Sequence, residues 1–168
     1  MRIRPARATE LDRLRDIERD AGQAFAEIGM PEIADDEPPS VSELEEFVSL
    51  GRAWVATNMD DVPVAYLLSA VVDGAAHVEQ VSVSPACRGR GIGAALIDQL
   101  SGVARRDRRP WVTLTTFRDV PWNAPYYARL GFTILGSAQW GPELAALMEF
   151  EALHIPGDWP RVAMRRAV

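Results

Sequence analysis

A glycine-rich loop with two arginines, Arg88-Gly89-Arg90-Gly91-Ile92-Gly93, follows the alternating run Val78-Glu-Gln-Val-Ser-Val83 and a break at Pro85, and precedes a helical pattern. These residue types at this spacing suit anion binding. Gly89, Gly91 and Gly93 place no side chain between a ligand and the backbone amides, and the first turn of the next helix adds unpaired N–H donors and partial positive charge. Arg88 and Arg90 add full charges beside them. A Walker-type phosphate loop needs Gly-Lys-Ser/Thr, and the chain contains no lysine. The dinucleotide pattern G-x-G-x-x-G/A is formally met by Gly89, Gly91 and Ala94, with Asp119 at nearly the distance of a ribose-binding acid. That unit would begin deep in the chain, with too few residues after it to complete a doubly wound sheet. A plain strand-to-helix turn would have to account for three glycines and two arginines in six residues.

Other side chains able to move protons lie on either side of the loop. His77 and Glu79 are two apart in a strand and so share one face. A tyrosine pair, Tyr126-Tyr127, reads either as aromatic core or as an acid; a phenol of pKa about 10 keeps its proton at neutral pH, which suits an acid and not a base. Cys87 adjoins the glycine loop but no histidine motif accompanies it, so it is not assigned as a nucleophile. His154 reads as structural or exposed.

The elements that must position these groups follow from periodicity. Arg2–Pro5 is a first strand. Thr9 with Asp12 opens a helix carrying Leu11, Leu14, Ile17, Ala21 and Phe25 on one face, stopped by Gly29 and Pro31. Residues 31–39 form an acidic loop, and Ser40 with Glu43 caps a short helix bearing Leu44, Phe47 and Leu50 up to Gly51. Strands 53–56 and 62–72 are joined by the turn at Asn58–Asp61, and Asp73-Gly74 signals a hairpin into strand 76–83, completing an antiparallel meander. Ile92, Leu96, Leu100 and Val103 mark a helix to about Arg106, followed by strand 111–116. Asn123 caps a helix to Leu130 with Pro125 in its first turn. Strands 132–135 and 162–165 end the chain, separated by an amphipathic helix over 142–153.

At 168 residues, with 48% apolar and 25% charged side chains, a single domain with its own core is expected. No apolar run approaches the ~18 residues of a membrane span, the start shows no signal-peptide core, and one cysteine fits a reducing compartment, so a cytoplasmic protein with no membrane partner is expected. A net charge of −6 argues against nucleic acid. All 18 cations are arginine, which excludes lysine Schiff-base chemistry. Charge is also segregated: nine carboxylates and no cation lie between Arg19 and Arg52, whereas residues 85–110 hold six arginines against two aspartates.

The spacing Arg88-x-x-Gly91-x-Gly93 after its strand, together with Asn123-Ala-Pro-Tyr-Tyr-Ala-Arg-Leu-Gly-Phe132, resembles two signatures of the GNAT superfamily of N-acetyltransferases. The likeness spans nearly the whole chain, is strongest from Val78 to Phe132 and is absent in detail from Ser137 to Pro160. It implies an α/β (α+β) fold with a central mixed, mostly antiparallel sheet of about seven strands flanked by helices, splayed at the acetyl-CoA site, in a single acetyltransferase domain over 1–168. It implies transfer of an acetyl group from acetyl-CoA, without a metal, to a primary amine attacking directly in a ternary complex. In that reading Arg88, Gly89, Arg90, Gly91, Gly93 and Ala94 hold the pyrophosphate, and the backbone of Val81, Ser82 and Val83 pairs with pantetheine, the Val81 N–H polarising the acetyl carbonyl. Asn123 contacts the coenzyme, although it stands closer to the tyrosine than the family pattern places it and is followed by Pro125. Tyr127 borders the coenzyme and protonates the leaving thiolate. Glu79 resembles the glutamate that helps deprotonate the amine, usually through water, with His77 on the same strand face as the alternative base; His77, Phe25 and Glu27 fall on the acceptor side. The partner is a small-molecule or peptide amine, and the acidic stretch favours a small cationic one. Homodimers are common in the family. A non-catalytic acyl-CoA-sensing module of the same fold is the second reading and a dinucleotide-binding module the third; a sensor would need neither Glu79 nor Tyr127.

Overall fold

The computed structural model describes residues 1–168. The chain forms β1 (Arg2–Pro5), α1 (Leu11–Gly22), α2 (Pro31–Ala34), α3 (Val41–Ser49), β2 (Ala53–Thr57), β3 (Pro63–Val72), β4 (Ala75–Val83) and α4 (Ile92–Arg106). It continues with β5 (Trp111–Phe117), α5 (Ala124–Arg129), β6 (Thr133–Leu135), α6 (Pro142–His154) and β7 (Arg161–Ala167). The strands hydrogen-bond in the order β1-β2-β3-β4-β5-β7-β6. The β4–β5 pair is parallel, while β1–β2, β2–β3, β5–β7 and β6–β7 are antiparallel. This is the expected mixed seven-stranded α/β architecture. No helix is long and apolar enough to cross a membrane.

The chain divides into two compact units, one of Met1–Ser69 with Gln80–Gln99, the other of Ala70–Glu79 with Leu100–Val168. In the first, Leu11, Leu14 and Ile17 of α1 recur at helical spacing and bury against Leu44, Val55, Tyr66 and Leu68. The helix start differs from the Thr9/Asp12 expectation. A short 3-10 turn over Ala8–Glu10 precedes α1, and the Arg7 amide donates to Glu10 Oε2 at 2.9 Å. Glu10 is placed there by Arg4, whose Nη2 donates to Glu10 Oε1 at 2.6 Å. The expected helix to Phe25 ends at Gly22 and tightens to 3-10 geometry over Gln23–Ile28, stopped by Gly29 at φ 80°. The loop at 31–39 contains α2. Ser40 and Glu43 form the expected capping box: the Glu43 amide donates to Ser40 Oγ at 3.2 Å and the Ser40 amide to Glu43 Oε2 at 2.7 Å.

In the second unit, Asp73 and Gly74 turn with φ 47° and 78°, the two positive values a type I′ hairpin requires. Asp73 also caps α6 from 70 residues away: its Oδ1 accepts from the Glu143 amide at 3.0 Å and its Oδ2 from the Leu144 amide at 2.9 Å. Gly141 is obligatory in that arrangement, because a Cβ there would lie 2.3 Å from the Asp73 carboxyl carbon. The helix is two-faced rather than amphipathic. Leu144, Leu147 and Met148 pack with Leu135 and Ala163, while Phe150 and Leu153 stand 57% and 76% exposed.

Candidate functional site

The first unit carries the glycine loop. Val81, Ser82 and Val83 end β4, a 3-10 turn occupies Pro85–Cys87, and Gly89 and Gly91 take φ 73° and 72°. Those positive values explain the glycines, since an L side chain in this region costs roughly 1–2 kcal/mol. The first helical bond of α4 runs from the Ala95 amide to Gly91 O at 3.0 Å, so the Ile92, Gly93 and Ala94 amides have no intrahelical acceptor. A Cβ added at Gly89 or Gly91 would meet nothing within 4 Å, so the loop surface is open. Arg90 is exposed there. Arg88 is exposed too, but its Nη2 donates to Ala21 O at 2.9 Å, tying the loop to the end of α1. Cys87 is a free, half-buried thiol. Phe25, half-buried, and Glu27, exposed, lie on the 3-10 segment after α1. The acidic stretch is partly structural, for Glu37 pairs with Arg15 and Arg19 at 3.5 Å each and Glu43 caps α3.

The second unit carries His77, Glu79 and Tyr127. His77 pairs in register with Thr113, and its Nδ1 lies 2.8 Å from Thr113 Oγ1. It is 1% exposed, and burial pushes its pKa down to about 4, so the imidazole is neutral at pH 7. The β4–β5 ladder of this unit pairs Val78 with Leu114 and ends there, one residue before Glu79 and Thr115. Glu79 reaches solvent, yet the packing around it and then the charge of Glu151 raise its pKa above the usual carboxylate range.

Glu151, on α6, accepts from Thr115 Oγ1 at 2.7 Å and pairs with Arg161 Nε at 3.2 Å. The Arg161 guanidinium also stands 4.7 Å over the Phe117 ring. Along β7, Arg161, Ala163 and Arg165 share the face that α6 covers. Arg166 points to the other, where it bonds Leu130 O at 3.1 Å and stacks over Phe132. Tyr127 sits on that second face, 8% exposed and edge-on to Tyr126 and Phe132 at 5.4 and 5.9 Å. Burial, then neighbouring Tyr126, holds its pKa well above the ordinary phenol value, so it keeps its proton. Asn123 starts α5 through its backbone, the Tyr127 amide donating to Asn123 O at 3.0 Å, and its side chain makes no cap bond. Pro125 removes one of the amides such a cap would use. The Asn123 Oδ1 is instead buried without a partner, a state that costs roughly 1–3 kcal/mol unless a ligand satisfies it.

A family model described as acetyltransferase (GNAT) family matches residues 11–132. The chain belongs to the GNAT acetyltransferase family. Among solved structures this GNAT chain is similar to Rv2747 from Mycobacterium tuberculosis, crystallised with CoA and NLQ, at 22% identity and a TM-score of 0.75, with 100% of this chain and 99% of that one covered. The PaiA N-acetyltransferase of Thermoplasma acidophilum, solved with coenzyme A, matches at 14% identity and 0.71, covering 99% and 98%. Naa20 of Chaetomium thermophilum, solved with a bisubstrate analogue, matches at 16% and 0.72, covering 100% and 87%. These likenesses show the fold. The family match ends at Phe132, ahead of α6 and β7. The Thr115–Glu151–Arg161 group was therefore invisible to motif reading; its members come from three elements at no fixed spacing, and no sequence signal announces it.

Proposed function

We propose that the chain is an acetyl-CoA-dependent N-acetyltransferase, one catalytic domain over residues 1–168, acting on a small cationic primary amine. The observation that carries this is the opening of α4: two glycines at positive φ, an unobstructed surface and three amides free of intrahelical partners, in a chain of this family. That surface fits a pyrophosphate, with Arg90 and the remaining N–H groups of Arg88 beside it. The orphaned Asn123 Oδ1 is a second point of fit, since it calls for a donor such as an amide N–H.

Acetyl-CoA supplies an acetyl group activated as a thioester. The Val81 and Val83 backbone orients it, and the Glu79 carboxylate takes the proton of the incoming ammonium; its raised pKa brings it closer to the amine's working range than an ordinary glutamate. The Tyr127 Oη holds the proton required by the departing thiolate. The test is calorimetric titration of CoA into wild type and Gly91→Glu. Binding in wild type and its loss in a folded variant support the reading; equal affinity rejects it.

A further inference from the structure

We propose that Glu79 and Glu151 together form the seat of the acceptor's ammonium group, with Arg161 as the residue that holds Glu151 in position. The inference rests on the acetyl-transfer reading above and adds to it a binding residue from α6, outside the part of the chain that matches the family model.

Register and side-chain contacts place the two carboxylates. The parallel ladder of β4 and β5 closes with His77–Thr113 and Val78–Leu114, and Glu79 and Thr115 are the next residue of each strand, where the pairing has stopped. The side chains of His77 and Thr113 meet on one face of the sheet, so Glu79 and Thr115, each two residues on, project from that face as well. There the Thr115 hydroxyl donates to Glu151 Oε1 at 2.7 Å while Arg161 Nε donates to Oε2 at 3.2 Å and Arg161 Nη2 to Thr115 Oγ1 at 3.3 Å. Glu151 is thereby gripped from two sides at 16% side-chain exposure, its orientation fixed rather than averaged in solvent.

Charge then selects the ligand. The charged neighbour that Glu79 feels is Glu151 on α6. On the same sheet face lie His77 on β4, neutral and committed to Thr113, Arg161 on β7, paired with Glu151, and Arg165, stacked 4.1 Å over Trp111, while Asp158 lines the pocket beside Glu151. Thr113 and Thr115 of β5 carry no charge. Glu79, Glu151 and Arg161 sum to one negative charge, which a primary ammonium neutralises, and Glu79 is the member without an arginine partner and so free to take the proton. Beside Glu151 and Arg161 opens a pocket of about 270 Å³ walled by Met148, Ile155 and Trp159, which suits the carbon chain of an alkylamine, with Asp158 adding a second carboxylate to its lining.

The test follows the side-chain carboxyl resonances of ¹³C-labelled protein while n-butylamine is added, in wild type and in Glu151→Gln. That variant removes the charge but can still accept from Arg161 Nε through its oxygen while its NH2 donates to Thr115 Oγ1, reversing that bond. The amine is expected to move both the Glu79 and Glu151 resonances in wild type and to bind Glu151→Gln about tenfold more weakly, the size of one lost charge-assisted contact. Without amine, the Glu79 titration midpoint is expected to fall in Glu151→Gln and to rise in Arg161→Met, opposite shifts that a merely structural role would not give. An unmoved Glu79 or Glu151 resonance, or equal amine affinity in Glu151→Gln, overturns the seat. Amine binding as described with no acetylation in the presence of acetyl-CoA would overturn the catalytic reading and leave the seat standing.

Discussion

Buried His77 ties stability to pH in a way that can be worked from the structure. In the unfolded chain its imidazole takes a proton near pH 6.5, whereas in the fold burial at 1% exposure holds the value at about 4. Between those limits the unfolded state binds a proton the native state refuses, so stability falls as pH falls. The contribution is fully present above pH 6.5 and is lost progressively down to about 4. At about 1.4 kcal/mol per pH unit the loss approaches 3 kcal/mol, a large share of an ordinary domain stability of roughly 5–15 kcal/mol. Urea denaturation of wild type and His77→Gln at pH 7, 6, 5 and 4.5 reads this directly. The glutamine keeps a polar partner for Thr113 but does not titrate, and the raised carboxylates Glu18 and Glu79, whose pH effects run in the opposite direction, are common to both proteins and cancel. The wild-type advantage at pH 7 is expected to shrink by about 3 kcal/mol toward pH 4. Parallel stability profiles for the two proteins would refute the assignment of a buried, neutral imidazole.

Three further outcomes are expected. Tyr127→Phe removes only the hydroxyl and should lower kcat roughly 10²-fold, with CoA affinity by calorimetry unchanged. Glu79→Gln should flatten the acidic limb of the kcat/KM profile for the amine while His77→Gln leaves it in place, because His77 is already neutral over that range. Asp73→Gly keeps the positive φ of the hairpin but deletes the cap on α6, and should cost about 1 kcal/mol in urea denaturation, with α6 amides exchanging faster.

What could be read in the sequence was what depends on near neighbours. The glycine loop, the Ser40/Glu43 capping box and the Asp73-Gly74 turn are each written within a few residues, so the chain states them locally. The α1 start was misread because Glu10 is chosen by Arg4, which also holds Asp61 at 2.9 Å, an ion-pair arrangement no local pattern contains. Asn123 looked like a cap because of its type and place, but Pro125 removes an amide it would have needed. Glu151 stayed hidden for a different reason. Its role depends on Asp73 fixing α6 and on Thr115 and Arg161 gripping its carboxylate, contacts that span up to 71 residues of sequence.

The central claim is that the chain passes an acetyl group from acetyl-CoA to an amine, and the release of CoA thiol tests it most directly. With wild-type protein, acetyl-CoA and n-butylamine, thiol and N-acetylbutylamine should appear in equal amounts, only when the amine is present, and about 10²-fold more slowly with Tyr127→Phe. Acetyl-CoA that binds but releases no thiol with n-butylamine or with any of a panel of small amines and peptides would contradict the account and leave a protein that senses the coenzyme without using it.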